Sequence, residues 1–223
     1  MTMTDQEILQ ALYDETLVGH GPRVLELTQQ GLDQGMTPES MLFEALIPSL
    51  EEVGARFERG DFFVPEMLVA GRAMAGALDL LRPLLAETGA QTVGTFLMST
   101  VKGDVHDIGK NLVNIMLEGA GFTVIDLGVQ VSPEKVIAGI QEHKPDIVGF
   151  SAFLTTTMPM FKANINALNK AGLRDSVIVM VGGAPVTQEY ADAVGADGYA
   201  ADASTAVRRA KELIAARRAA VAV

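Results

Sequence analysis

The sequence predicts two domains of different class: an N-terminal four-helix bundle, then a doubly wound α/β domain with a five-stranded parallel sheet. Three observations predict it. Up to about residue 88, apolar residues recur only at helical spacing. Beyond residue 92, short apolar runs alternate with amphipathic segments. The chain has 223 residues, enough for one large domain or two smaller ones.

Ile8, Leu9, Leu12 and Leu17 mark the first helix. Gly19 and Gly21 interrupt it, and Pro22 opens the second helix in its first turn, where a missing N–H costs nothing. Val24, Leu25 and Leu27 continue that helix until Gly31 to Gly35. Thr37 is an N-cap with Pro38 at the first helical position. The third helix then runs from Met41 to about Arg59, with a kink expected at Pro48, and Gly60-Asp61 ends it. Pro65-Glu66 opens the fourth, Met67 to about Leu85, with Pro83 near its end. Short loops between four helices make a small bundle. The domains are therefore expected at 1–88 and 93–223, joined by a linker at 89–92.

In the second domain, strands are expected at Val93–Met98, Thr123–Asp126, Ile147–Ser151, Val177–Val181 and Gly198–Ala200. Helical patterns sit near 109–120, 133–143, 157–171, 186–194 and 203–219. Strands alternating with helices argue for a parallel sheet covered on both faces, which binds ligands at the C-terminal ends of its strands.

Composition removes several functions. With no cysteine, disulfides, thiolate zinc sites, iron–sulfur clusters and cysteine nucleophiles are excluded. The 28 acidic residues against 17 basic ones, a net charge of −11, argue against nucleic-acid or anionic-membrane binding. No targeting segment or membrane-length apolar run is visible, so a cytoplasmic location is expected.

The chemistry is expected after the first strand, in Gly103-Asp104-Val105-His106-Asp107-Ile108-Gly109. An Asp two residues before a His can hold one imidazole nitrogen and leave the other free for a metal. Gly109 lets something bulky pass close to the backbone. The plain alternative is a histidine capping a helix. His20 and His143 read as solvated surface residues, and one His without cysteine cannot hold a structural zinc. A metal on His106 would therefore bring its other ligands with a cofactor. Phe57, Phe62, Phe63 and Met67 fit an ordinary bundle core. Glu51-Glu52 and Arg208-Arg209-Lys211 fit solvated helix faces.

Asp104-x-His106-x-x-Gly109, then 41 residues, Ser151-Ala152-Phe153, then 28 residues and Gly182-Gly183 resembles the fingerprint of cobalamin-binding domains that hold the cofactor base-off with a histidine on cobalt. The stretch Val53 to Glu66 is similar to the helical cap of methionine synthase and of small corrinoid methyl-carrier proteins. The resemblance covers nearly the whole chain.

It implies a flavodoxin-like sheet domain and a cofactor that is cobalamin, as methylcobalamin or cob(I)alamin, or a related corrinoid. His106 would be the lower ligand of cobalt, with Asp104 and Thr157 completing a ligand relay. Thr157 stands where methionine synthase has serine. Ser151, Thr155, Gly182 and Gly183 would contact or admit the displaced nucleotide tail, and Ala203 would close on it. Phe57 and Val64 would cover the upper face of the corrin, and Gly89 would serve as a hinge. Val64 and Phe153 stand where leucine is usual, which implies altered packing rather than lost binding.

The implied function is a methyl carrier without a complete catalytic site. Its partners would be a substrate:corrinoid methyltransferase, a second methyltransferase acting on tetrahydrofolate or coenzyme M, and a reductive activator. A cobalamin-dependent sensor is the alternative; the absence of Trp and of a basic domain argues against it. A mutase small subunit usually lacks the helical cap. A flavodoxin-like fold that has lost its cofactor sits poorly with the intact motif set.

Overall fold

The computed structural model describes residues 3–88 and 92–221. Residues 89–91, which include the expected hinge Gly89, lie outside the described residues. Two compact units are present: Met1–Thr92 with Glu118–Gly121, and Val93–Leu117 with Phe122–Val223.

The first unit is helical. Helix α1 (Asp5–Leu17) opens with a reciprocal capping box between Thr4 and Glu7. Helix α2 (Gly21–Asp33) carries Pro22 in its first turn. The third helical stretch differs from expectation. It consists of α3 (Pro38–Met41), a π-helical turn (Leu42–Leu46) and α4 (Ile47–Glu58). The N–H of Ile47 reaches back to the carbonyl of Leu42, and Pro48 falls in the first turn of α4. The irregularity thus precedes Pro48, which has no N–H to give an α-helical ladder. Helix α5 (Val64–Thr88) continues through Pro83 and beyond the expected end near Leu85.

Ile8, Leu12, Leu27, Leu46, Met67, Met74 and Leu81 fill the bundle core. Of the aromatic set expected to join Met67 there, Phe57 and Phe62 are half-buried and Phe63 is 65% exposed. The loop that carries them is tightly held. Gly60 takes a positive φ of 79°, and the N–H groups of Asp61 and Phe62 both reach the Arg56 carbonyl. Glu52 pairs with Arg56 and Arg59, Arg59 pairs with Asp61, and the Arg56 guanidinium lies 5.2 Å from the Phe62 ring centre.

The second unit is a five-stranded, all-parallel sheet in the order β2-β1-β3-β4-β5. The strands are β1 (Gly94–Thr100), β2 (Phe122–Asp126), β3 (Ile147–Ser151), β4 (Ile178–Gly182) and β5 (Gly198–Ala200). Helices α6 (Ile108–Gly119), α7 (Pro133–His143), α8 (Pro159–Lys170), α9 (Gln188–Val194) and α10 (Ala203–Val221) connect or follow them.

Both faces of the sheet are covered, so its strands read as continuous apolar runs rather than alternating ones. One face packs Leu97, Val148, Phe150, Val179 and Val181 against Phe161, Ile165 and Leu168 of α8 and Val136 and Ile140 of α7. On the other face, Phe96 sits edge-on to Phe122. Strand order reverses between β1 and β3, where Thr100 is in register with Ser151. The loops leaving these two strand ends diverge from a common point, which is where open α/β sheets bind ligands.

Candidate functional site

The loop after β1 is held from both sides. Val101 bridges Val131, and the N–H groups of Thr100 and Val131 bond Gly128 and Thr100 carbonyls. The Thr100 hydroxyl donates to the His106 carbonyl at 3.1 Å. Gly103 turns the chain with φ 85°, and the Asp104 N–H returns to the Val101 carbonyl. These bonds place the Asp104 side chain, 0% exposed, at the centre of the site.

Every group around that carboxylate is a donor. Its Oδ1 accepts from the His106 N–H at 3.0 Å and lies 2.7 Å from His106 Nδ1. Its Oδ2 accepts from the Thr157 hydroxyl at 2.7 Å, the Phe153 N–H at 2.8 Å and the Leu154 N–H at 3.2 Å. Burial works against the charge on Asp104. The hydrogen bonds from Thr157, His106 and Phe153 outweigh it and hold the carboxyl well below the usual carboxylate range. An ionised carboxylate only accepts, so the neutral imidazole carries its proton on Nδ1 and keeps the lone pair on Nε2. The His106 side chain is 44% exposed, and Nε2 has no hydrogen-bond partner among the described residues.

Asp104, His106, Thr157 and Phe153 are thus brought into direct contact. The Phe153 ring stacks on the imidazole, with centroids 4.5 Å apart. Val105, Ile108 and Leu154 leave apolar side chains exposed in the same two loops, and Asp107 and Thr155 are exposed there as well. Gly109 lies in the first turn of α6, where an added Cβ would meet nothing within 4 Å. Ser151 ends β3, in register with Thr100 on one side and Gly182 on the other.

Two of the expected positions carry structural roles of their own. Gly183 is demanded by the chain itself. Its φ is 132°, and a Cβ there would lie 1.9 Å from the Ala152 carbonyl oxygen. Ala203 is buried at the start of α10. Phe57, half-buried near the end of α4, and Val64, half-buried at the start of α5, belong to the helical unit.

A clamp beside the loop was not anticipated. The Lys110 ammonium, on a residue only 3% exposed, pairs with Asp126 at the end of β2 and bonds the Asn111 side chain at 2.6 Å. Asp126 also accepts from Asn114 and from the Gly128 N–H. It ties the start of α6 to β2. The available signal was phase: Lys110 falls seven residues before the buried Leu117, on the apolar stripe of its helix.

No group of three or more His, Cys, Asp or Glu side chains that could hold a metal occurs among the described residues. Fold and site together define a binding protein of the doubly wound class, with one fixed imidazole beside exposed apolar side chains at the switch point. Any metal there must bring its remaining ligands with a cofactor.

Comparison with known proteins completes the assignment. Residues 94–208 match a family described as B12 binding domain, and residues 8–82 match a second family of the same description. The dimethylamine corrinoid protein of Methanosarcina barkeri is 41% identical over 214 residues, covering 96% of this chain and 100% of that protein. A corrinoid protein of Desulfitobacterium hafniense is 38% identical, covering 96% of this chain and 98% of its own length. Among solved structures, the methanol:cobalamin methyltransferase complex of Methanosarcina barkeri aligns over 96% of this chain and 82% of the matched chain, with TM-score 0.83 and 29% identity. The chain belongs to the B12-binding corrinoid proteins. Its cofactor is a corrinoid. No helix among the described residues is long and apolar enough to cross a membrane.

Proposed function

We propose that this chain is the methyl-carrier subunit of a corrinoid-dependent methyltransferase system, with His106 as the lower ligand of cobalt in a base-off corrinoid. The observation that carries this reading is the imidazole fixed through Nδ1 on a buried carboxylate, its side chain 44% exposed and its Nε2 without a partner among the described residues. The fit is supported by Gly109, whose missing Cβ leaves open space, and by the exposed apolar side chains of Val105, Ile108, Phe153 and Leu154.

When bound, the cobalt supplies the centre that accepts and gives up a methyl group. The chain's own residues prepare the ligand. Asp104 holds the proton on Nδ1, so Nε2 presents its lone pair outward. Thr157 and the backbone of Phe153 and Leu154 keep Asp104 ionised. On this reading Ser151, Thr155, Gly182 and the turn at Gly103 would surround the nucleotide tail. The partners on this reading are a substrate-specific methyltransferase, a second methyltransferase that passes the methyl group to tetrahydrofolate or coenzyme M, and a reductive activator. The dimethylamine and methanol systems of the relatives support small methylated compounds as the substrate class.

The test is reconstitution with methylcobalamin, comparing wild type and His106→Ala by visible spectroscopy and by electron paramagnetic resonance of the Co(II) form. A base-off spectrum with coupling to one protein nitrogen, lost in the variant, is expected. Binding indifferent to His106, or no binding, would overturn the reading. A second expected result concerns Gly109→Ala. The apoprotein should melt no lower than wild type, because the added methyl group meets no protein atom and alanine favours a helix. Methylcobalamin affinity should fall, and equal affinity in a titration would show that the space is not used.

A further inference from the structure

We propose that Phe153 is a positioning residue for the His106 imidazole, its ring holding the plane of the imidazole so that Nε2 points in one direction. The inference rests on the reading of His106 as a cobalt ligand and adds a residue that orients it.

Phe153 touches both partners of the Asp104–His106 pair. Its main-chain N–H donates to Asp104 Oδ2 at 2.8 Å, while its ring lies against the imidazole at 4.5 Å between centroids and 28° between planes. The single bond from Nδ1 to Asp104 fixes one edge of the imidazole but permits a swing about the line joining the two atoms. A second ring laid on one face removes that swing. Offset stacking of this kind is favourable for two rings. Because the anchoring of Phe153 is through its main chain, the backbone sets where the phenyl ring lies, and the ring in turn sets the imidazole.

The ring has little other purpose in the fold. It is 53% exposed and contributes nothing to the core beneath α7 and α8. An exposed phenyl ring forgoes the gain of burial, so its place over His106 needs a reason other than packing. A leucine at this position could fill similar volume but offers no flat face. The side chain can also be exchanged without removing the N–H that Asp104 needs, so ring and backbone roles are separable.

The experiment has two arms and uses Phe153→Leu with Phe153→Tyr as the conservative control. In the apoprotein, proton NMR should show the His106 ring protons shifted upfield by the ring current of Phe153. The shift should vanish in the Leu variant and persist in Tyr. In protein loaded with hydroxocobalamin and reduced to Co(II) with dithionite, the Leu variant should weaken nitrogen ligation about 3- to 10-fold, the range expected for one aromatic pair. The Tyr variant should restore it.

Absence of the upfield shift in wild type would overturn the stack. Loss of the shift with nitrogen coupling and affinity unchanged would overturn the positioning role alone. Absence of nitrogen coupling in wild type would overturn the ligand reading itself and this inference with it. The NMR arm then still reports the stack, so the two failures are distinguishable.

Discussion

Asp104→Asn is expected to lower the stability of the apoprotein by about 3 kcal/mol and its affinity for methylcobalamin by about 10- to 100-fold. The substitution is nearly isosteric, so the effect is one of hydrogen-bond polarity. Five donors converge on the carboxylate: two from His106 on Oδ1, and those of Thr157, Phe153 and Leu154 on Oδ2. An amide has one accepting atom and one donating atom. If its NH2 faces His106, it opposes the main-chain N–H and turns Nδ1 into an acceptor. The ring proton then moves to Nε2 and blocks the lone pair. If the amide flips, its NH2 opposes two backbone N–H groups around a side chain that is itself 0% exposed. Either way buried donors are left unpaired. Urea unfolding of the apoprotein and a methylcobalamin titration measure the two effects. A midpoint and affinity equal to wild type would mean that the donors find other partners and the carboxylate is dispensable.

Gly183→Ala is expected to cost about 3 kcal/mol or more, with a fall in melting temperature of roughly 6 to 12 °C. Two terms add. The residue has φ 132°, a region that residues with a Cβ rarely adopt, and its Cβ would lie 1.9 Å from the Ala152 carbonyl oxygen. That oxygen is backbone, so no side chain can rotate away. Relief requires the β3–α8 loop to move. This loop carries Ala152, whose N–H bonds the Gly182 carbonyl, and the Phe153 and Leu154 N–H groups that bind Asp104. The variant should therefore also disturb the His106 ring protons by NMR, although Gly183 bonds none of the residues of the relay. Thermal unfolding that matches wild type would mean the loop shifts freely, and the close approach would not be a constraint on this site.

Much of this was legible in the residues. The β3 strand at Ile147–Ser151, β5 at Gly198–Ala200 and α7 at Pro133–His143 stand where the sequence puts them. Their signals are local. Two are short apolar runs, and the third is a helix opened by a Ser132 cap with Pro133 in the first turn. The pairing of Asp104 with His106 was also readable, because two residues of extended loop bring a carboxylate to an imidazole. Other features were not. The π-helical turn at Leu42–Leu46 leaves no periodic signature over five residues. The exposure of Phe63 contradicts its apolar character, since composition and spacing report hydrophobicity and not whether anything covers it.

The sequence by itself determined the two classes of unit, the parallel sheet, the exclusion of thiolate chemistry and the histidine on which a metal could sit. Each depends on residue type, period or a spacing of a few positions. Tertiary structure alone decided how that histidine is held. Thr157 reaches Asp104 across 53 residues of sequence, Phe153 across 49, and Lys110 meets Asp126 across 16. These contacts exist because β1 and β3 lie side by side in register while their loops diverge at the switch point. Even the need for glycine at 183 arises there, from a neighbouring loop passing close to its Cα. A local pattern can place a donor or a carboxylate on the chain; only the folded sheet determines which of them share a site.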